Sequence, residues 1–261
     1  MSLYFQSILS SSSGNCLALW SETTRLLIDC GFSSMKKTRE AITGVYGDPY
    51  NAHAVLVTHM HGDHISYYPL RALENCGIPV HVHSDCIEQL KTRHFREYGF
   101  ANLVISPFEF KSFEVGDFQV TPFEVAHNPA FRTCGFIIRH GDKKIVVATD
   151  FNEWQSIFGH FIDADFIFVE SNHDLELLRK YYNPNSIYHL PNPSAAEFLL
   201  NLSIHNKKQP DKIMFGHLSS QRNRCDIALR ETCMTFDSAG RKMDFELVAA
   251  PLRFPGDVIS I

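Results

Sequence analysis

The sequence predicts an α+β domain built as a four-layer sandwich, with two sheets packed face to face and helices on their outer sides. Three observations lead there. Short β-type runs crowd both ends of the chain while helical segments lie between them. "HAVLVT" at 53–58 is a continuous apolar run of the kind found in strands buried on both faces. The 261 residues, 44% hydrophobic and 20% charged, are enough to bury a sizeable core. With no linker, low-complexity tract or short repeat in the way, residues 1–261 read as one domain.

Each element has a local reason. "LYFQSIL", "CLALW" and "RLLID" are strands separated by turn signals, the first of them "SSSSGN". "LYFQS" at 3–7 resembles the remnant of a cleavable tag, but it runs into "ILSSSSGN" without a linker and is read as a native first strand. "SSMKKTREAI" at 33–42 is a helix capped by Ser33 or Ser34. "YYPLRALENCG" and "SDCIEQLKTRHFREYG" are helices closed by Gly77 and Gly99, with the strand "PVHVH" between them. The middle is strand-rich: "NLVIS", "DFQVTPFEV", "TCGFIIRH" and "KKIVVATD". "DFIFVES" and "KIMFGH" are strands, each followed by a helix. The first helix, "NPSAAEFLLNLSIHN", takes Asn192 as cap and Pro193 at its first position; the second is "SQRNRCDIALRETCMTF".

The formal net charge of −5 argues against a broad basic nucleic-acid footprint, without excluding a local patch. Seven cysteines, odd in number and without a CxxC pair, predict reduced thiols and not a disulfide framework. No segment is apolar enough to span a membrane and the start lacks a basic n-region, so a cytoplasmic protein with no membrane partner is expected.

Histidine is the outlier at 14 residues. "THMHGDH" at 58–64 puts His59, His61, Asp63 and His64 on one loop after a buried run. In extended backbone His59 and His61 point the same way and can share one ion, and a turn at Gly62 redirects Asp63 and His64 toward a second. Two adjacent ions need further ligands. His127 in "FEVAHN", Asp150 in "IVVATD" and His217 in "KIMFGHLS" each stand just beyond a β run, where loops gather into sites.

HxHxDH with ordered downstream His, Asp and His resembles the metallo-β-lactamase superfamily over nearly the whole chain. The resemblance implies an αβ/βα sandwich in which His59, His61 and His127 hold one ion, Asp63, His64 and His217 hold the other, and Asp150 bridges them. All donors are N or O, which suits Zn²⁺ or Mn²⁺, with Fe also compatible. It further implies hydrolysis by a metal-bridging hydroxide.

"SSSSGN", "LLIDCG", "VESNHD", "HLPNPSAAEF" and "GHLSSQRN" occur in the order seen in the YycJ/WalJ-like, exonuclease-like branch. His189 matches the place of a catalytic proton donor in related nucleases, so Asp63 and His189 are the expected catalytic pair. Met60, Gly62 and Pro191 depart from the usual residues of these motifs. No large insertion separates Asp150 from His217, no basic protruding arm marks a tRNA-processing enzyme, and no helical domain follows the last strand.

The expected partner is nucleic acid, with DNA favoured by the branch. A small cyclic or nucleotide phosphodiester is the alternative substrate, and a non-catalytic metal-bound binding or scaffold protein is the alternative of another class. Arg222 and Arg224, in "SQRNR", follow His217 closely enough to reach substrate. "KTRHFR" at 91–96 and "KKTR" at 36–39 are further basic clusters. Ser12 and Asn15, in the "SSSSGN" turn, either offer backbone amides to a phosphate or pack beneath the site. His81 and His83 fill a sheet face, and His173 has no assigned role.

Overall fold

The computed structural model describes residues 2–95 and 99–261, which form fourteen strands and seven α-helices. The strands are β1 (Tyr4–Ser11), β2 (Gly14–Trp20), β3 (Arg25–Ile28), β4 (Ala54–Leu56), β5 (Val80–His83), β6 (Ile105–Phe108), β7 (Phe113–Val115), β8 (Phe118–Glu124), β9 (Cys134–His140), β10 (Lys143–Ala148), β11 (Phe166–Glu170), β12 (Lys212–Gly216), β13 (Glu246–Ala249) and β14 (Ile259–Ser260). The helices are α1 (Met35–Tyr46), α2 (Tyr67–Cys76), α3 (Ile87–His94), α4 (Phe158–Phe161), α5 (Leu175–Lys180), α6 (Asn192–His205) and α7 (Cys225–Ser238).

Two seven-stranded sheets result, ordered β14-β1-β2-β3-β4-β5-β6 and β13-β12-β11-β10-β9-β8-β7. Each sheet has an antiparallel half and a parallel half; β3 to β6 are parallel in one, β10 to β13 in the other. Strand alternation explains the layers. Leu26 and Ile28 face the other sheet while Leu27 faces the helices, and Ile145 and Val147 alternate with Val146 and Ala148 in the same way. One apolar core lies between the sheets. A second joins α1, α2 and α3 to the first sheet, and a third joins α4, α6 and α7 to the second. The expected four-layer sandwich is therefore the fold.

Phe5, in the tag-like N-terminal run, is fully buried and packs against Phe166 and Phe168 at ring distances of 4.6 and 5.6 Å, so the run is working sheet. All seven cysteines are free. No helix among the described residues is long and apolar enough to cross a membrane.

Boundaries differ from the sequence reading in instructive ways. The predicted helix from Ser84 begins as a 3₁₀ turn and becomes α3 only at Ile87; residues 96–98, in its predicted last turn, lie outside the described residues. Pro191, not Asn192, occupies the cap position of α6. The Asn192 side chain instead joins a buried network, accepting from Ser171 Oγ at 2.7 Å and donating to Asn223 Oδ1 at 3.0 Å. The same network draws Asn223 inward, so α7 starts at Cys225 and not at Ser220.

Away from that network, Asp117 clasps the two sheets. It accepts from Ser21 Oγ at 2.8 Å, Thr23 Oγ1 at 2.7 Å and, where that nitrogen carries the proton, His140 Nε2 at 3.0 Å. Burial opposes its charge, but bonds from Thr24, Thr23, Ser21 and His140 outweigh burial and hold the carboxyl well below the usual carboxylate range. A depressed folded-state value stabilises the fold above the unfolded pKa of about 4, and that contribution disappears as pH falls toward the folded value. Asp117→Asn should therefore lose stability less steeply with acid than the parent. Urea midpoints measured from neutral pH down to about pH 3 test this, and parallel curves would mean the clasp contributes nothing.

Candidate metal centre

The parallel strands deliver their carboxyl ends to one place, the position where open α/β sheets expose loops to ligand. Asp29 follows β3, Thr58 and His59 follow β4, Asp150 follows β10, Glu170 closes β11 and His217 follows β12. Asp29, Asp150 and His217 have φ of 59°, 58° and 51°, a left-handed backbone that costs a residue with a Cβ. The strain lies where a side chain must turn off its strand into the site.

The 59–64 loop is held from beneath. Asp29 accepts from Thr58 N at 2.8 Å, Thr58 Oγ1 at 2.8 Å and His64 Nδ1 at 2.7 Å. The turn that redirects Asp63 and His64 is made by the His61 carbonyl, which accepts from both His64 N and Ile65 N at 3.0 Å. Gly62 is not in the left-handed region and has open space around a would-be Cβ, so the turn does not require its glycine. Gly31 is the glycine that matters, because a Cβ there would meet the Asp63 carbonyl oxygen at 1.7 Å. Asn15 lies in the same layer, its N donating to Asp63 O at 2.8 Å and its Nδ2 standing 3.0 Å from His64 Nε2. The "SSSSGN" turn thus packs under the site; Ser12 is at its exposed tip.

The seven candidate ligands come together in two groups. His59 Nε2 and His61 Nδ1 are 2.7 Å apart, and the His127 ring lies 5.2 Å from that of His59. Asp150 Oδ1 is 4.0 Å from His59 Nε2 and 3.9 Å from His127 Nε2. In the second group, Asp63 Oδ2 is 3.6 Å from both His64 Nε2 and His217 Nε2. Asp150 reaches this group too, with Oδ2 at 3.2 Å from His64 Nε2 and Oδ1 at 3.5 Å from His217 Nε2.

The outer nitrogens of these imidazoles are engaged. His127 Nδ1 bonds the Tyr188 carbonyl at 2.9 Å, His64 Nδ1 bonds Asp29, and His217 Nδ1 bonds Glu170 Oε1 at 2.9 Å. Donation outward leaves Nε2 as an inward lone pair. His127 Nε2, His217 Nε2 and Asp150 Oδ2 are all buried and lack a hydrogen-bond partner. Buried acceptors converging without a donor fit a cation.

Electrostatics show that the centre attracts positive charge, so a cation there would compete with a proton for the same nitrogens. Burial opposes charge on His217, but Asp150, Asp63 and Glu170 outweigh it and push the group up to about 10. Burial likewise opposes charge on His64, where Asp150, Asp29 and Asp63 prevail. Burial, and after it the charge of His127, lowers His61 to about 4.

Sequence reasoning missed two carboxylates, Asp29 and Glu170. Glu170 is fully buried; Oε1 accepts from His189 Nδ1 at 2.7 Å and from His217 Nδ1, while Oε2 accepts from Phe151 N at 3.0 Å and Leu190 N at 3.3 Å. With both oxygens used, it positions histidines and has no lone pair aimed at an ion, although it stands close to Asp150, His189 and His217. Burial opposes its charge, yet His189 and His217 lower it to about 2. The available signal was an acid ending an apolar strand, as in "FIFVE" and "RLLID".

His189 stacks on His217 at 5.2 Å and its side chain is 18% exposed. Burial works against its charge, but Glu170 raises it above the ordinary value. His173 is buried, its carbonyl accepting from Asn192 N at 2.9 Å. Arg222 and Arg224 do not join the cluster. Arg222 Nη1 bonds Gln221, and the Arg224 guanidinium is held by Asp226 at 2.6 and 3.0 Å.

With that geometry established, comparison with known proteins is decisive. The profile of the "Beta-lactamase superfamily domain" matches residues 24–213. The chain belongs to this family. It is similar to the exodeoxyribonuclease WalJ of Streptococcus pneumoniae, 26% identical over 244 residues that cover 85% of this chain and 83% of the relative. It is also similar to the exodeoxyribonuclease YycJ of Bacillus anthracis, 27% identical over 255 residues, 92% of this chain and 91% of the relative. These are the relatives that the order of sequence motifs pointed to. Among solved structures, the metallo-β-lactamase fold protein YhfI of Bacillus subtilis superposes with a TM-score of 0.77 at 17% identity, covering 100% of each chain.

Two outcomes follow from the supporting layer. Glu170→Gln should keep the fold but weaken metal affinity roughly 10–100-fold, read by competition with a chromophoric chelator. Gly31→Ala should lower the thermal midpoint and metal content together, because the Asp63 loop must move to admit the methyl group; an unchanged metal content would show that the loop has slack.

Proposed function

We propose that this metal-dependent hydrolase of the metallo-β-lactamase fold is a phosphodiesterase that removes nucleotides from DNA, working with two divalent cations. The observation that carries the reading is the convergence of His127 Nε2, His217 Nε2 and Asp150 Oδ2, three buried acceptors without donors, at the junction of two ligand groups. His59, His61 and His127 would hold one ion and Asp63, His64 and His217 the other, with Asp150 between them. Bound there, Zn²⁺ or Mn²⁺, with Fe also compatible, would lower the pKa of water toward neutrality and neutralise charge on phosphoryl oxygens.

The remaining work belongs to the chain's own side chains. Asp63, the more exposed of the two central carboxylates at 24% against 2% for Asp150, orients the attacking water. Asp150 holds the two imidazole groups at a fixed spacing. His189 donates from Nδ1 to Glu170, and that carboxylate favours the protonated ring, so Nε2 is the atom that would give a proton to the departing oxygen. DNA as substrate is supported by similarity to WalJ and YycJ, each named an exodeoxyribonuclease.

The test compares 5′-phosphorylated duplex DNA, single-stranded DNA and a small chromogenic phosphodiester, in Mn²⁺ and in Zn²⁺ separately. Stepwise loss of nucleotides, with most metal and activity gone in Asp63→Ala and in His61→Ala, is expected. Undiminished turnover in either variant sinks the assigned centre. Turnover of the small ester alone makes the protein a small-molecule phosphodiesterase, and two bound metals with no turnover make it a binding protein.

A further inference from the structure

We infer that Arg93, held over Phe131 at the rim of the metal centre, forms a second phosphate subsite that grips a neighbouring phosphodiester of a nucleic-acid strand. The inference rests on the phosphodiesterase reading above. It starts from α3, whose last two residues point in different directions. His94 is buried, and its Nε2 lies 3.1 Å from the Met60 carbonyl in the middle of the ligand loop. Arg93 is exposed, and its guanidinium carbon lies 4.5 Å from the centroid of the Phe131 ring. Phe131 in turn packs on His61 at a ring distance of 4.0 Å. A ligand imidazole, an aromatic ring and a guanidinium are therefore stacked outward from the site in sequence.

Charge distinguishes this arginine from its neighbours. Arg132 is spent on Glu124 and on Asp85, the latter at 3.0 Å. Lys91 pairs with Glu88 at 3.0 Å, Arg71 with Glu74 at 2.6 Å, and Arg224 with Asp226. Among the described residues Arg93 has no carboxylate partner; Arg96, the last cation of "KTRHFR", and Glu97 lie outside them. Among the described residues nothing but the Phe131 ring meets this guanidinium; the ring covers its planar face and leaves the N–H edge to one side, the geometry that suits a phosphate.

The support under it is built. The 128–131 turn is closed by Phe131 N donating to Asn128 O at 2.9 Å and braced by Gln89 Nε2 donating to Ala130 O at 2.7 Å. Beside the turn opens a cavity of about 410 Å³, with Gln89, His127 and Phe131 in its lining. A strand that reaches the metal centre across Phe131 would meet Arg93 one ring's width from His61. A mononucleotide ester bound at the metals alone has no second phosphate to present there, so the subsite selects for a polymer.

The experiment is fluorescence anisotropy of the metal-loaded full chain with a labelled, phosphorothioate-protected single-stranded oligonucleotide. Arg93→Gln should raise Kd about tenfold and reduce the slope of log K against log salt by about 0.7, as one lost phosphate contact requires. Arg93→Lys, which keeps charge but not the planar stack, should fall between. Phe131→Leu should reproduce part of the loss and Phe131→Tyr should restore binding, marking Phe131 as a positioning residue. Unchanged Kd and salt slope in Arg93→Gln would overturn the subsite. Parent turnover of the small chromogenic ester on the same preparation keeps the two readings apart. Ester turnover with Arg93-independent binding loses the subsite and keeps the metal centre; Arg93-dependent binding without any hydrolysis keeps the subsite and loses the enzyme.

Discussion

A single buried carboxylate, Asp29, underlies the geometry of the whole centre. It accepts from a backbone amide, a hydroxyl and an imidazole at once, and thereby fixes where the first sheet ends and the ligand loop begins. Such a carboxylate is costly to bury unless its lone pairs are used. Here each bond serves a second purpose: Thr58 is set to contact both His59 and His64, and the His64 proton is kept on its outer nitrogen. Glu170 does the same for the second sheet through His189 and His217. The inner ring of donors is therefore only as ordered as this outer ring of acceptors.

What could be read from the sequence was what is local or strongly periodic. Four candidate ligands on one loop and three more at strand ends needed only residue type and spacing, and the sandwich needed only the distribution of strand and helix patterns. The carboxylates escaped notice because a lone acid ending a strand looks like a cap until its partners from other strands are visible. Asn192 was misread for the opposite reason: its local pattern is that of a helix cap, and a tertiary network with Ser171 and Asn223 overrode it. Gly62 was credited with a turn that a carbonyl makes, while the glycine packed against the Asp63 carbonyl, Gly31, sits in another segment.

The basic clusters teach the same lesson about reach. Arg222 and Arg224 are near His217 along the chain, yet Asp226 takes the guanidinium of Arg224 and Gln221 that of Arg222. Arg93 is more than thirty residues from His61 but is joined to it through one aromatic ring. A net charge of −5 therefore says little about the site itself, because an exposed arginine stands at its rim.

The candidate ligands are split between the sheets: His59, His61, Asp63 and His64 come from the first, His127, Asp150 and His217 from the second. Neither half of the chain carries the complete set, so a cation held by all of it would bind tightly only once the sheets have docked. By mass action such a cation would stabilise the docked state, by RT ln(1 + [M]/Kd), and act as a removable staple across the sandwich. Chelation should be felt first as loosening between the sheets, with amide exchange rising in the 58–64 and 149–151 loops well before either helical face opens.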